Sequence, residues 1–267
     1  MTIRQVDGRT ITSEKVTHIN SKSYAQMVRR VQWANLVNLY RAFAGTLHPS
    51  FENRPQGVSD YNEFMSANFA VMPVYLTRDE ARQGGAVVAD YQVTRGSLPT
   101  IDVTEGAGGF PVTDIQLGSL AIDGDTTLAE FSQAVVDNNA GYAHGDQLSC
   151  YVVKQSQNTT SAVPYVAVKA MEVTLDLNAT DTLLSDVVDA DGFASVGGRL
   201  GRNSTVNGAV AWVHSRLTPS GTKVSTQRLY VSNSLLAQYQ SAAKRAEAIA
   251  SYGGGQEPEF LTPNTTE

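Results

Sequence analysis

The sequence holds a single cysteine, Cys150, in 267 residues, which excludes an internal disulfide and any thiolate metal cluster. Its place in the apolar run LSCYVV marks it as a small buried hydrophobe. Histidine is equally scarce. His18, His48, His144 and His214 lie far apart, and none shows the HxH or HExxH spacing that sets two imidazoles on one metal. No metal or cofactor is therefore expected. Long apolar runs are missing too: nothing approaches the roughly 18 to 20 residues of a membrane span. The opening MTIRQVDGRT lacks the apolar stretch of a signal peptide. Cytoplasmic synthesis, with no membrane partner, is the expectation, and incorporation into a virion is compatible with it.

Catalytic and nucleotide-binding motifs are also wanting. The glycine run at 106–109 and the GGRLGR stretch contain neither GxxxxGK[ST] nor a GxGxxG between a parallel strand and a helix. The acidic run DVVDADG at 186–192 lacks the DxDxDG order and closing Glu of a calcium loop, so a turn is expected there. In AWVHSRL, strand alternation puts His214 on the face of Trp212 and Arg216 and sends Ser215 to the other, so they form no nucleophile–base couple. No enzyme is expected.

What is present begins with composition: 42% apolar and 17% charged residues is the balance of a folded chain. The formal net charge of −6 is unevenly spread. Residues 1–54 carry eight Lys/Arg against three Asp/Glu, residues 55–192 five against nineteen, and residues 193–267 seven against four. A basic, acidic, basic order gives separate copies a reason to meet and fixes their register when they do.

Residues 23–44 close the longest run free of Pro and Gly, 9–44, and read as a helix with two apolar faces. Tyr24, Met27, Val28 and Val31 fall on one side; Trp33, Leu36, Val37, Leu39, Tyr40 and Phe43 fall on another. Prolines then force a loop, and SDYNEFMSANF reads as a second helix, with Asp60 and Glu63 at capping-box spacing. If the first face packs on this helix, the second needs another cover, so Trp33, Val37, Tyr40 and Phe43 are the candidate interface between copies. Arg29, Arg30 and Arg41 beside these aromatics make nucleic-acid binding the alternative. Against it, the aromatics are expected on a different face from the arginines and the chain is acidic.

Elsewhere the residues before the helix, with Asp7-Gly8 at their centre, read as a hairpin or loose arm. Residues 71–76 read as a strand, and Thr77 with Glu80 and Thr127 with Glu130 as capping boxes of short helices. The runs AVVADYQVTRG, TIDVT, FPVTDIQLGSLAI, LSCYVVKQ, PYVAVKAMEVTLDL, FASVGGRLG, NGAVAWVHSRL and TKVSTQRLYVS read as antiparallel strands. One helical turn is expected in TDTLLSDVVDADG, and one long helix, capped at Ser232 or Asn233, closes the fold at Gly253. The fold class is α+β: an N-terminal arm and helical pair (1–70), two β-sandwich-like lobes (71–139 and 140–252, the second with the closing helix) and a flexible tail (253–267).

The segments QMVRRVQWANLVNLYRAF, SDYNEFMSANF, YQVTRGSLP, AVAWVHSRLTPSGTKVSTQRL and ASYGGG resemble an uncharacterised protein family of Bacteroidetes gut bacteria and their mobile elements or phages. The carriers are an SxYNxFxSxN-like helix, here residues 59–68, and a VxRGxLP element, here residues 93–99. The glycine-rich lead-in of many members is lacking here. The resemblance implies a structural or accessory protein, with no activity attached. The expected function is therefore non-enzymatic assembly through self-association.

Overall fold

The computed structural model describes residues 2–6, 9–13, 23–47, 50–71, 73–189 and 192–253. The Asp7-Gly8 turn, residues 14–22, part of the acidic turn at 186–192 and the tail from 254 onward lie outside the described residues. Strands β1 (Thr2–Val6) and β2 (Arg9–Ser13) pair as the expected hairpin, Val6 opposite Arg9. Helices α1 (Tyr24–Phe43), α2 (Asp60–Asn68) and α3 (Arg78–Arg82) come after it. Next are β3 (Gln92–Thr94), β4 (Val103–Glu105), β5 (Pro111–Gln116) and α4 (Leu128–Asn138). After them run β6 (Gln147–Gln157), β7 (Pro164–Thr174), α5 (Leu184–Val187), β8 (Ala194–Val196) and β9 (Arg199–Gly201). The last elements are β10 (Gly208–Thr218), β11 (Gly221–Val224), β12 (Gln227–Arg228), β13 (Tyr230–Ser232), α6 (Leu236–Tyr239) and α7 (Ala242–Ser251). Every strand pair of these sheets is antiparallel, and the fold is α+β with helices at both ends.

The central sheet runs β11-β10-β6-β7, with β13 also on β10. Two of its three 11-residue strands, β6 and β10, are largely buried on both faces, the pattern of strands covered on both sides. Alternation divides them. Tyr151, Val153, Ala209, Ala211 and Val213 point to one core, which α1 and α2 cover with Leu36, Leu39, Phe43 and Phe64. Leu148, Cys150, Val152, Val210 and Trp212 point to the other, closed by Phe131 and Val135 of α4 and by Ile115 and Leu200 of the four-stranded sheet β4-β5-β9-β8. Both cores draw on residues before and after 139. Cys150 is fully buried, as its apolar setting predicts. Gly192 lets the chain cross this core closely: a Cβ there would stand 2.3 Å from Met171 Cε, and its carbonyl accepts from Trp212 Nε1 at 3.0 Å.

Four expectations need correction. Residues 73–76 of the expected strand at 71–76, and most of AVVADYQV, are not laddered; Val74, Leu76 and residues 86–89 are buried all the same. A buried backbone must find partners, and here side-chain amides provide them. Asn35 of α1 exchanges two bonds with Val87, Nδ2 to O at 3.0 Å and Oδ1 from N at 2.8 Å. Asn38 donates to Ala81 O and Gly85 O, Asn68 brackets Gln92, and Gln155 accepts from Val88 N while donating to Ala86 O. Second, Ser59 rather than Asp60 caps α2, accepting from Asn62 N, while Asp60 pairs with Arg54 at 3.3 Å. Third, FASVGGRLG is two short strands, β8 and β9, turned at Gly197-Gly198. Fourth, the closing helix is broken into α6 and α7; Ser241, whose side chain accepts from Lys244 N, starts the second. The capping boxes at Thr77/Glu80 and Thr127/Glu130 form as their spacing predicts.

Candidate functional site

Helix α1 does have two apolar faces, and both are used, but not as their order in sequence implies. Met27 and Val31, fully buried, pack with Ala248 and Ile249 of α7, flanked by Tyr24, Val28, Tyr75 and Tyr252. Leu36, Leu39 and Phe43 enter the main core. The helix α2 lies against the second face: Tyr40 meets Tyr61 edge-on at 5.2 Å and Phe64 at 5.3 Å, and Trp33 meets Phe69 at 5.7 Å. The pairing runs antiparallel, the start of α2 beside Tyr40 and its end beside Trp33.

The four candidate interface residues therefore part company. Phe43 is 1% exposed and packs 6.4 Å from Tyr151, so it belongs to the chain's own core and leaves the interface set. Tyr40 and Val37 are half-buried. Trp33 remains 45% exposed. It stands in an open groove of about 830 Å³ that runs along the outer side of α1. Arg29, Arg30, Trp33 and Val37 of α1 line it, Tyr61 and Phe69 form the α2 side, and Ala81 of α3 and Tyr252 past the end of α7 form the other.

The nucleic-acid set divides as well. Arg29 and Arg30 share the groove with Trp33, correcting the expectation that arginines and aromatics lie on separate faces. Arg41, in the last turn of α1, is eleven residues from Arg30, about 16 Å along the helix, and lies outside the groove. Arg29 and Arg30 are exposed and make no ion pair among the described residues. Burial pushes the Tyr252 hydroxyl up in pKa, and the charges of Arg78, Arg82 and Arg30 oppose that, which places three cations around this end of the groove.

The polar centre that resembles chemistry most lies elsewhere, and sequence spacing did not reveal it. Asp146, 1% exposed, takes Arg216 in a two-pronged pair, Nε to Oδ1 and Nη2 to Oδ2 both at 2.6 Å. Its Oδ2 also accepts from His214 Nε2 at 2.8 Å; a carboxylate can only accept, so Nε2 carries the hydrogen. Tyr142 stacks on the imidazole at 4.3 Å. Strand alternation did place His214 and Arg216 on one face; Asp146, from the turn before β6, had no spacing signal. Burial holds His214 below the usual imidazole pKa, which the Asp146 bond only partly offsets. On Asp146 burial works upward, but the bonds from Arg216 and His214 outweigh it and hold the carboxyl below its usual range. His214 is 1% exposed and its Nδ1 has no hydrogen-bond partner. Among the described residues no hydroxyl or thiol is hydrogen-bonded to that Nδ1, and Ser225 Oγ accepts from the His214 backbone N–H instead. Among the described residues no group of three His, Cys, Asp or Glu side chains could hold a metal ion, and no helix is long and apolar enough to cross a membrane.

No family model, curated protein or solved structure matches this chain.

Proposed function

We propose that this is a non-enzymatic assembly protein that acts by self-association, and that the groove along α1 is its working surface. The observation that carries the reading is Trp33: a large aromatic left 45% exposed in an open groove, beside the half-buried rings of Tyr61 and Phe69. Exposed aromatic pockets with a cationic rim are what interface hot spots are made of. Supporting it, the Asp146 carboxylate is buried and both its oxygens are already taken by Arg216 and His214. The resemblance to proteins of gut bacteria and their phages or mobile elements fits an assembly role. The groove is lined with cations in a chain of net charge −6, so an acidic surface of another copy is a natural counterpart.

A second reading, nucleic-acid binding, is favoured by one observation, that Arg29 and Arg30 flank Trp33 in the same groove. Sedimentation velocity separates the two. Self-association predicts a sedimentation coefficient that rises with protein concentration and falls back in Arg29→Glu with Arg30→Glu. Nucleic-acid binding predicts a concentration-independent monomer that shifts only when a single-stranded oligonucleotide is added, with steep salt dependence. A monomer indifferent to both removes both readings.

A further inference from the structure

The groove begins where the described chain stops. Tyr252 forms part of its wall, and Gly253, at φ +78°, turns the backbone away beyond α7. From there the chain continues as GGQEPEFLTPNTTE, a segment that holds three Glu and no Lys, Arg or His. Residues 253–256 are a Gly-rich tether that spans at most about 14 Å, a length that leaves this groove within reach of the residues that follow.

The order of chemistry along the two matches. Nearest the tether the groove offers Arg30, with Arg78 and Arg82 beside Tyr252; nearest the tether the segment offers Glu257 and Glu259. Asp79, exposed on α3, is a carboxylate in the same neighbourhood, set against these three cations. One turn further along α1 the groove becomes apolar, with Trp33, Phe69 and Val37; further along the segment come Phe260 and Leu261. Pro258 and Pro263 bias the residues before them to extended backbone, the form that lies along a groove. We propose that the groove along α1 is the docking site of the chain's own residues 257–261, EPEFL, with the two glutamates on the arginine rim and Phe260 against Trp33. A tether this short holds the segment at an effective concentration in the millimolar range, so modest affinity fills the groove. The inference rests on the groove being a binding surface. Its consequence is that another copy must displace the segment to associate there.

The test uses the full chain. Trp33 and Trp212 are the only tryptophans, and Trp212 is fully buried, so exposure of Trp33 is read by its emission and by acrylamide quenching, with Trp33→Phe assigning the signal. Phe260→Ser with Leu261→Ser is expected to shift emission to longer wavelength and raise quenching, with circular dichroism unchanged. A synthetic peptide of residues 256–263 then restores shielding in that variant and binds the unaltered chain at least tenfold more weakly, because its groove is filled. Arg29→Glu with Arg30→Glu is expected to release the segment, and adding Glu257→Lys with Glu259→Lys to recover it. Equal quenching in the unaltered chain and the Phe260/Leu261 variant overturns the proposal. So does an unaltered chain that is a dimer and becomes monomeric in that variant, which assigns the segment to a second copy's groove. A single-stranded dT oligonucleotide that shields Trp33 where the peptide does not also overturns it. If shielding behaves as expected while every variant stays monomeric, docking of the segment stands and the self-association reading falls.

Discussion

The Asp146 centre and the α1 groove are made of similar residues, an arginine or two beside an aromatic ring, yet the fold treats them oppositely. At Asp146 each charge is matched: Arg216 is engaged at two nitrogens, His214 is neutral, and Tyr142 covers the imidazole. In the groove Arg29 and Arg30 pair with no described acid and Trp33 is left open. The contrast teaches that matched polar groups under a ring act as structure, whereas unmatched cations beside an open ring remain available for a partner. Removing a residue from the first region should therefore cost stability, and from the second, association.

The largest effect is expected at Asp146. Asp146→Ala takes the shared acceptor from the buried His214 and from Arg216, which keeps Gly141 O and is 34% exposed, and should lower unfolding free energy by about 3 kcal/mol in urea titration. A loss below about 1 kcal/mol would mean the centre is open to water after all. Next is Asn35→Ala, which strips the Val87 N–H and C=O of their partner; burying unpaired groups should cost about 2–3 kcal/mol. Hydrogen exchange at Val87 should accelerate with it, and unchanged protection there would show that another group serves that backbone.

The pH dependence comes third. His214 and Asp146 both have folded pKa values below their ordinary ones. Their contribution is therefore whole above the unfolded values, near 6.5 for His and 3.9 for Asp, and is lost as pH falls toward the folded values. Stability should begin to decline below about pH 6.5, by at most about 1.4 kcal/mol per pH unit for one proton taken up. His214→Asn, which keeps a donor for Asp146, should remove that first decline and leave the one below pH 4. A wild-type stability flat from pH 7 to 5 would contradict a neutral, buried imidazole. The smallest effect on folding is expected from Trp33→Ser, under about 1 kcal/mol because almost half the ring is already in water.

Much of the fold could be read from the chain, because apolar periodicity and capping boxes are local signals. The helices at Tyr24 and Leu128, both Thr–x–x–Glu boxes and the opposite faces of His214 and Ser215 come from spacing alone. Residues 86–90 could not be read this way. Their run of apolar residues resembles a strand, but their partners are amides of Asn35 and Gln155, 52 and 67 residues away. The groove was half legible. The sequence picked out Trp33, Val37, Arg29 and Arg30, yet assigned cations and aromatics to separate faces, because a helical wheel shows angles but not neighbours. Only with α2, α3 and Tyr252 in place do these residues line one space. Phe43 and Trp33 were grouped by their angle on the wheel; what separates them is depth, 1% against 45% exposure.

The central claim, that the α1 groove is where copies meet, is tested most directly by molar mass from light scattering over a concentration series, with the unaltered chain beside Trp33→Ser. The account predicts a mass that climbs above the 28.6 kDa monomer with concentration in the unaltered chain, and a Trp33→Ser protein that stays at 28.6 kDa with its fold intact. Two curves that rise together would place the contact elsewhere, and two that remain at the monomer mass would contradict self-association itself.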